Sequence, residues 1–159
     1  MNKILLLFLL SLTLSACSPS SDLKYNEVVT SAFLQNVQRV DQDMERLING
    51  DFEPGHADTL KMRTLSPATH LGELEQNLNQ VQQLQHSEEA GKFASSLSRY
   101  YELQISYSQQ LKRYVETPDK AGKEVLAQNL NNTYQALRPL PEQILAVQKQ
   151  FLERSGLPH

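Results

Sequence analysis

Eight positions in the middle of the chain, Ala90, Phe93, Leu97, Tyr100, Gln104, Tyr107, Leu111 and Tyr114, alternate steps of three and four residues without a miss. Helical geometry, at 3.6 residues per turn, gathers such positions on one side, and the resulting stripe has to be covered by other helices. One row of the stripe reads Ala, Leu, Gln, Leu and the other Phe, Tyr, Tyr, Tyr, so rings recur every seventh residue along about 30 Å. The continuity of the seam favours a core role, with phenol hydroxyls emerging at the rim. The functional reading of the same row is a platform of phenols for a partner helix, a sugar or a flat ligand. Gln104, the polar member, is expected to fix the register of packing at some cost in stability.

The same spacing organises the flanking segments. Val29, Phe33, Val37, Val40, Met44 and Leu47 predict one helix from about Asp22 or Asn26 to Asn49, stopped by Gly50. Asp41, Asp43, Glu45 and Arg46 fall to its hydrated sides. Ser66-Pro67, a capping residue followed by proline at the first helical position, predicts the start of a second helix along Leu71, Leu74, Leu78 and Val81. That pattern fades at Gln85-His86, and Ser87 caps the third helix with Glu88 and Glu89 at the positive end of its dipole. So short a joint implies an antiparallel hairpin. Thr117-Pro118 repeats the cap-plus-proline opening for a fourth helix with Asp119 in its first turn and Leu126, Leu130, Tyr134 and Leu137 on its face. Pro139 and Pro141 remove backbone hydrogen bonds, yet Leu140, Ile144, Val147 and Phe151 keep the phase. The spacing therefore predicts a kink, or two nearly collinear pieces, ending by Ser155-Gly156 with residues 157–159 frayed. The fold class is all-α: an antiparallel four-helix bundle with heptad-like packing, its last helix kinked at Pro139/Pro141.

Residues 50–66 show no sustained period apart from a short helical pattern near Asp58 to Thr64. Long irregular connections are often functional, which makes Phe52, His56, Met62 and Arg63 a candidate partner-binding region. The competing reading is a crossover that packs Phe52 and Leu60 over the end of the bundle.

The amino terminus carries a different kind of information. Lys3 supplies one positive charge, Ile4 to Leu14 a mostly apolar run, and Ser15-Ala16 small side chains before Cys17, which is the layout of a secretory signal. The run is shorter than the roughly 20 residues needed to span a bilayer. Leu14-Ser15-Ala16-Cys17 resembles the lipobox of bacterial lipoproteins at all four places. The resemblance implies cleavage between Ala16 and Cys17, a diacylglyceryl thioether on the Cys17 sulfur and acylation of the new amine. It divides the chain into a signal peptide (1–16), a lipidated tether (17–21) and a helical domain (22–159). By resemblance to the enterobacterial sorting rule, in which an aspartate after the cysteine signals retention at the inner membrane, Ser18 implies sorting to the outer membrane, facing the periplasm. Two or three acyl chains make release from a membrane very slow.

Cys17 is the only cysteine. Once it is lipidated, the domain holds no disulfide, thiolate ligand or thiol nucleophile. The mature 143 residues carry 14 Lys and Arg against 18 Asp and Glu, without a basic run, which disfavours nucleic acid. Phosphate-binding loops, two-histidine zinc motifs and nucleophile elbows are absent from the sequence. His70 with Glu73 and His86 with Glu89 have i, i+3 spacing, but at helix ends they read as surface residues, so no metal or cofactor is assigned. A haem held by Met44 or Met62 with a histidine is disfavoured. The expectation is a non-enzymatic envelope adapter or assembly factor that binds another protein. A helical carrier of a lipid, haem or metal, supported by Gln104 in the seam, and an envelope-acting hydrolase stay open as alternatives. The oligomeric state is not legible in the sequence.

Overall fold

The computed structural model describes residues 19–53 and 59–158, with side chains described at 21–53 and 70–158. Among the described residues six helices follow in order: α1 (Pro19–Asn36), α2 (Arg39–Ile48), α3 (Thr59–Gln83), α4 (Gly91–Glu116), α5 (Lys120–Leu137) and α6 (Leu140–Ser155). No strand occurs among the described residues. Helix α4 is the central element: α3, α5 and α6 each pack along it, α1 lies on α3, and α2 lies on α5. Phe33 on α1 also reaches Tyr100 on α4, with ring centroids 5.1 Å apart.

The seam drawn from the sequence is the core-facing side of α4. All eight of its residues, from Ala90 to Tyr114, are at most 8% exposed. They join Val29, Phe33, Leu74, Val81, Leu130, Ile144 and Phe151 in one cluster. The aromatic row is enclosed, so the phenol-platform reading does not hold. Only the Tyr114 hydroxyl reaches the rim as expected, donating to Glu53 Oε1 at 2.6 Å.

Five boundaries differ from the sequence reading. The first helix begins at Pro19, so helix replaces most of the expected tether. It then breaks at Val37-Gln38 instead of running through to Asn49. Asn36, fully buried, turns its side chain back so that Nδ2 donates to the Ala32 carbonyl at 2.8 Å, competing with the backbone donor of its own turn. The second helix starts at Thr59, not at Ser66-Pro67. Pro67 lies inside α3, where its missing N–H removes one helical bond without ending the run. At the α4–α5 joint the capping residue is Asp119, whose Oδ1 accepts the Gly122 N–H at 2.7 Å. Thr117 instead closes α4, its N–H reaching the Arg113 and Tyr114 carbonyls.

The expected third helix, α4, starts at Gly91 with Ala90 in the capping position; Ser87, the expected cap, stands three residues earlier, its Oγ accepting the Ala90 N–H at 3.4 Å in the turn that leads in. Other expectations hold. The double-proline segment separates α5 from α6, with Pro139 capping α6 and Pro141 in its first turn. Gly50 and Gly156 end their helices at φ of 75° and 65°, a left-handed conformation in which a side chain is strained. Leu157 is fastened, its N–H reaching the Leu152 carbonyl at 3.0 Å and its side chain packing against the core, so fraying is not seen at that residue; His159 lies outside the described residues.

Candidate functional site

The break between α1 and α2 generates a polar layer inside an otherwise apolar body. Interrupting a helix leaves carbonyl groups without their i+4 donors. Gln104, 2% exposed on α4, supplies one donor: its Nε2 lies 3.3 Å from the Asn36 carbonyl and 2.7 Å from the Tyr100 hydroxyl. The polar residue in the seam thus satisfies the broken helix beside it. Arg39, at the start of α2, donates to Asn36 Oδ1 at 2.9 Å and to Glu73 Oε2 of α3 at 2.8 Å.

One turn further along α2, Asp43 is buried at 4% exposure with its Oδ2 4.0 Å from His70 Nδ1 of α3. Arg46 lies 4.0 Å from the other carboxylate oxygen. Burial pushes the Asp43 carboxyl up to about 6, opposed by the attraction of Arg46 and Arg39. His70 moves the other way: burial, then Arg39, lower its pKa from the usual imidazole value, with Glu73 opposing. A carboxyl whose pKa is raised and an imidazole whose pKa is lowered thus stand 4.0 Å apart, a pairing of perturbed groups of the kind that gathers at functional sites. Tyr101 and Tyr107, both fully buried on the facing side of α4, have hydroxyls without a protein hydrogen-bond partner, as does Gln104 Oε1. Burial holds both phenols un-ionised, with Glu73 adding to the effect at Tyr101 and Asp43 at Tyr107.

Two surface grooves and one small cavity among the described residues are further candidates. At the level of the α1–α2 break, a cavity of about 40 Å³ is bounded by Val37, Asp41, Tyr100, Tyr134, Arg138 and Pro141, room for a water molecule. It also touches the α5–α6 break, so the two interruptions face each other. A groove of about 490 Å³ lies where α4 gives way to α5. There Lys123 Nζ donates to Glu53 Oε2 at 2.8 Å and sits 4.9 Å from the Tyr114 ring centroid. Burial and the Glu53 carboxylate push the Tyr114 phenol up to about 12. A polar groove of about 410 Å³ between α4 and α5 is lined by side chains such as Gln110, Arg113, Asn129 and Thr133.

The residues singled out in the sequence are dispersed. Ala16, Cys17, Ser18 and His56 lie outside the described residues, and Met62 and Arg63 fall on α3 where side chains are not described. Phe52 is fully buried in the core, so it packs over the chain's own helices and offers no surface to a partner. The i, i+3 pairs do not converge and are not simple surface groups: His70 meets Asp43 while Glu73 meets Arg39, and His86 packs on the Tyr25 ring at 4.8 Å. Among the described residues no group of three His, Cys, Asp or Glu is placed to hold a metal ion. Asp43 was assigned to a hydrated side, yet it sits three residues after Val40 and four before Leu47, within the apolar arc of α2; that spacing was the available signal.

Compared with protein-family models, curated proteins and solved structures, the chain matches none.

Proposed function

We propose that this chain is a lipoprotein held at the outer membrane through Cys17, facing the periplasm, and that its helical body acts without catalysing a reaction, as an adapter or assembly factor for another envelope protein. The observation that carries the proposal is the run Leu14-Ser15-Ala16-Cys17 behind a short apolar segment. Helix α1 begins two residues after the cysteine, which would hold the body close to its membrane. None of the described helices is long and apolar enough to cross a membrane, which suits attachment by lipid. The finer architecture in this reading is an antiparallel bundle of four layers, α1–α2 and α5–α6 each forming one jointed layer, with heptad-like packing along α4. Its outside offers scattered apolar groups, Leu34, Ile48, Val125 and Leu145, and the groove beside Tyr114 for a protein partner.

The test is twofold. Intact mass of the membrane-extracted protein is expected to start at Cys17 and carry diacylglyceryl and acyl groups, and chemical cross-linking in whole cells is expected to trap a stoichiometric protein that is lost with Cys17→Ala. Protein recovered without lipid, beginning at another residue, would overturn the anchor, and a lipidated chain that traps no protein would overturn the adapter role.

A second reading, an envelope-acting hydrolase, is favoured by one observation, the buried Asp43–His70 contact. It requires that Asp43→Asn and His70→Gln each abolish hydrolysis of peptidoglycan or phospholipid by the purified chain while leaving its fold intact.

A further inference from the structure

How α1 is fastened decides which end of the body stands next to its anchor. One residue, Ser18, separates Cys17 from Pro19, and the two residue steps between them span at most about 7 Å. The first turns of α1 are tied to the α3–α4 joint. Asp22, 5% exposed, accepts the Ser87 N–H at 2.8 Å. The Tyr25 hydroxyl donates to the Val81 carbonyl at 3.4 Å, and its ring lies 4.8 Å from His86 and 6.3 Å from Phe93. Phe93 in turn stacks on Phe151 at 5.9 Å, which brings the last turns of α6 to the same pole. The opposite pole is closed by the contacts of Glu53 with Tyr114 and Lys123. Because Phe93 and Tyr114 share one uninterrupted helix, the two poles stand about 30 Å apart.

The geometry points to a membrane-docking surface made of the α3–α4 joint, Gln85 to Glu89, and the last turn of α6, which rests on a zwitterionic phospholipid surface and holds the Glu53–Tyr114–Lys123 pole about 30 Å farther out. This rests on the anchor at Cys17 proposed above. A body on a long coil tether can roll over the membrane. Here the helix starts almost at the anchor and its first turn is bonded to the joint, so the joint faces the bilayer whenever the anchor is inserted. The chemistry of the surface selects the lipid. Glu88 and Glu89 are exposed side by side on the joint, followed by Lys92, and Glu153 and Arg154 are exposed on α6. The patch holds an acidic pair among mixed charges and no basic cluster, so a surface without net charge suits it better than a strongly anionic one, which attracts basic clusters instead. The groove beside Tyr114 is then presented to the periplasm, clear of the bilayer.

The experiment uses the lipidated chain in nanodiscs of phosphatidylethanolamine and phosphatidylcholine containing a gadolinium-chelating lipid. Cys17 is capped by its thioether, so a nitroxide can be placed selectively at Glu88→Cys or at Lys120→Cys, both exposed positions. Relaxation of the label by gadolinium is expected to be at least several-fold stronger at position 88 than at 120. Equal enhancement at the two positions, or a stronger effect at 120, in protein whose mass confirms the lipid would overturn the docking surface and leave the anchor standing. A chain whose mass shows no lipid, and which fails to co-migrate with the discs, would overturn the anchor and this inference with it. Circular dichroism of both variants confirms that the helices are retained.

Discussion

Replacing Asp43 with asparagine is expected to make the protein progressively more stable than its parent as the pH rises. Burial lifts the carboxyl from an ordinary 3.8 to about 6. Its side chain is 6% exposed, so solvent screens the effect little. A difference of about two pH units, at about 1.4 kcal/mol each, means that keeping the ionised carboxylate in the folded state costs about 3 kcal/mol. The sign follows from proton binding. The folded chain holds this proton more tightly than the unfolded chain does, so the cost is absent below about pH 4, grows through the window from about 4 to about 6 and is complete above it. Asparagine has nearly the same shape and never ionises. His70 titrates in both proteins, and to first order it drops out of the comparison. Between pH 4 and pH 8 the stability difference should therefore shift by about 3 kcal/mol in favour of Asp43→Asn, or roughly 10 °C in melting temperature for a domain of this size. Urea unfolding of the Cys17→Ala chain, followed by circular dichroism at each pH unit, measures it. A difference that stays constant with pH, or that moves against the variant as pH rises, would refute the reasoning: it would mean that Arg46 and His70 stabilise the ionised carboxylate more than burial destabilises it.

Gln104→Leu is expected to lose about 1–3 kcal/mol, because the Asn36 carbonyl and the Tyr100 hydroxyl lose their buried donor; a more stable variant in denaturant titrations would show instead that the amide serves only register. In His70→Gln the imidazole that resists protonation is gone, so the variant should gain on its parent as pH falls through 6.5, the loss in the parent arising because its folded form takes up that proton less readily than the unfolded chain. Proton NMR should place the His70 pKa below 6.5, and a value above it would reverse the sign. Glu53→Gln removes the charge beside Tyr114, so the phenol pKa, read by ultraviolet titration, should fall from about 12 toward 10; no change would mean that burial alone sets it. Gly156→Ala should cost about 1 kcal/mol by forcing a side chain into the left-handed region and should loosen Leu157, seen as faster amide exchange at that residue.

The parts of the fold legible in the sequence were those set by periodicity. The seam from Ala90 to Tyr114 is buried throughout because three-four spacing on a helix leaves little alternative once other helices cover it. The glycine stops at Gly50 and Gly156 and the interruption near Pro139 were legible because each reflects a backbone property of a single residue. The break at Val37-Gln38 was not, since no proline or glycine marks it and the apolar phase continues through it; its cause is the side chain of Asn36 returning to the Ala32 carbonyl. The polar layer followed that break into obscurity. Asp43, His70 and Gln104 come from three helices, and sequence spacing reports neighbours on one helix but not which faces meet. Proline signals also overstated two starts: Ser66-Pro67 sits inside α3, and Thr117-Pro118 precedes the true cap at Asp119.

The joints at Val37-Gln38 and Arg138-Pro139 lie at one height, on either side of the cavity beside Tyr100, while α4 crosses that height unbroken. A column with a continuous spine and jointed ribs has unequal stiffness: it resists stretching along the spine but yields to flexing toward the jointed side. Thermal bending should therefore gather at this waist, with Tyr100 as its fulcrum, and the small void there is the space that such flexing would squeeze shut.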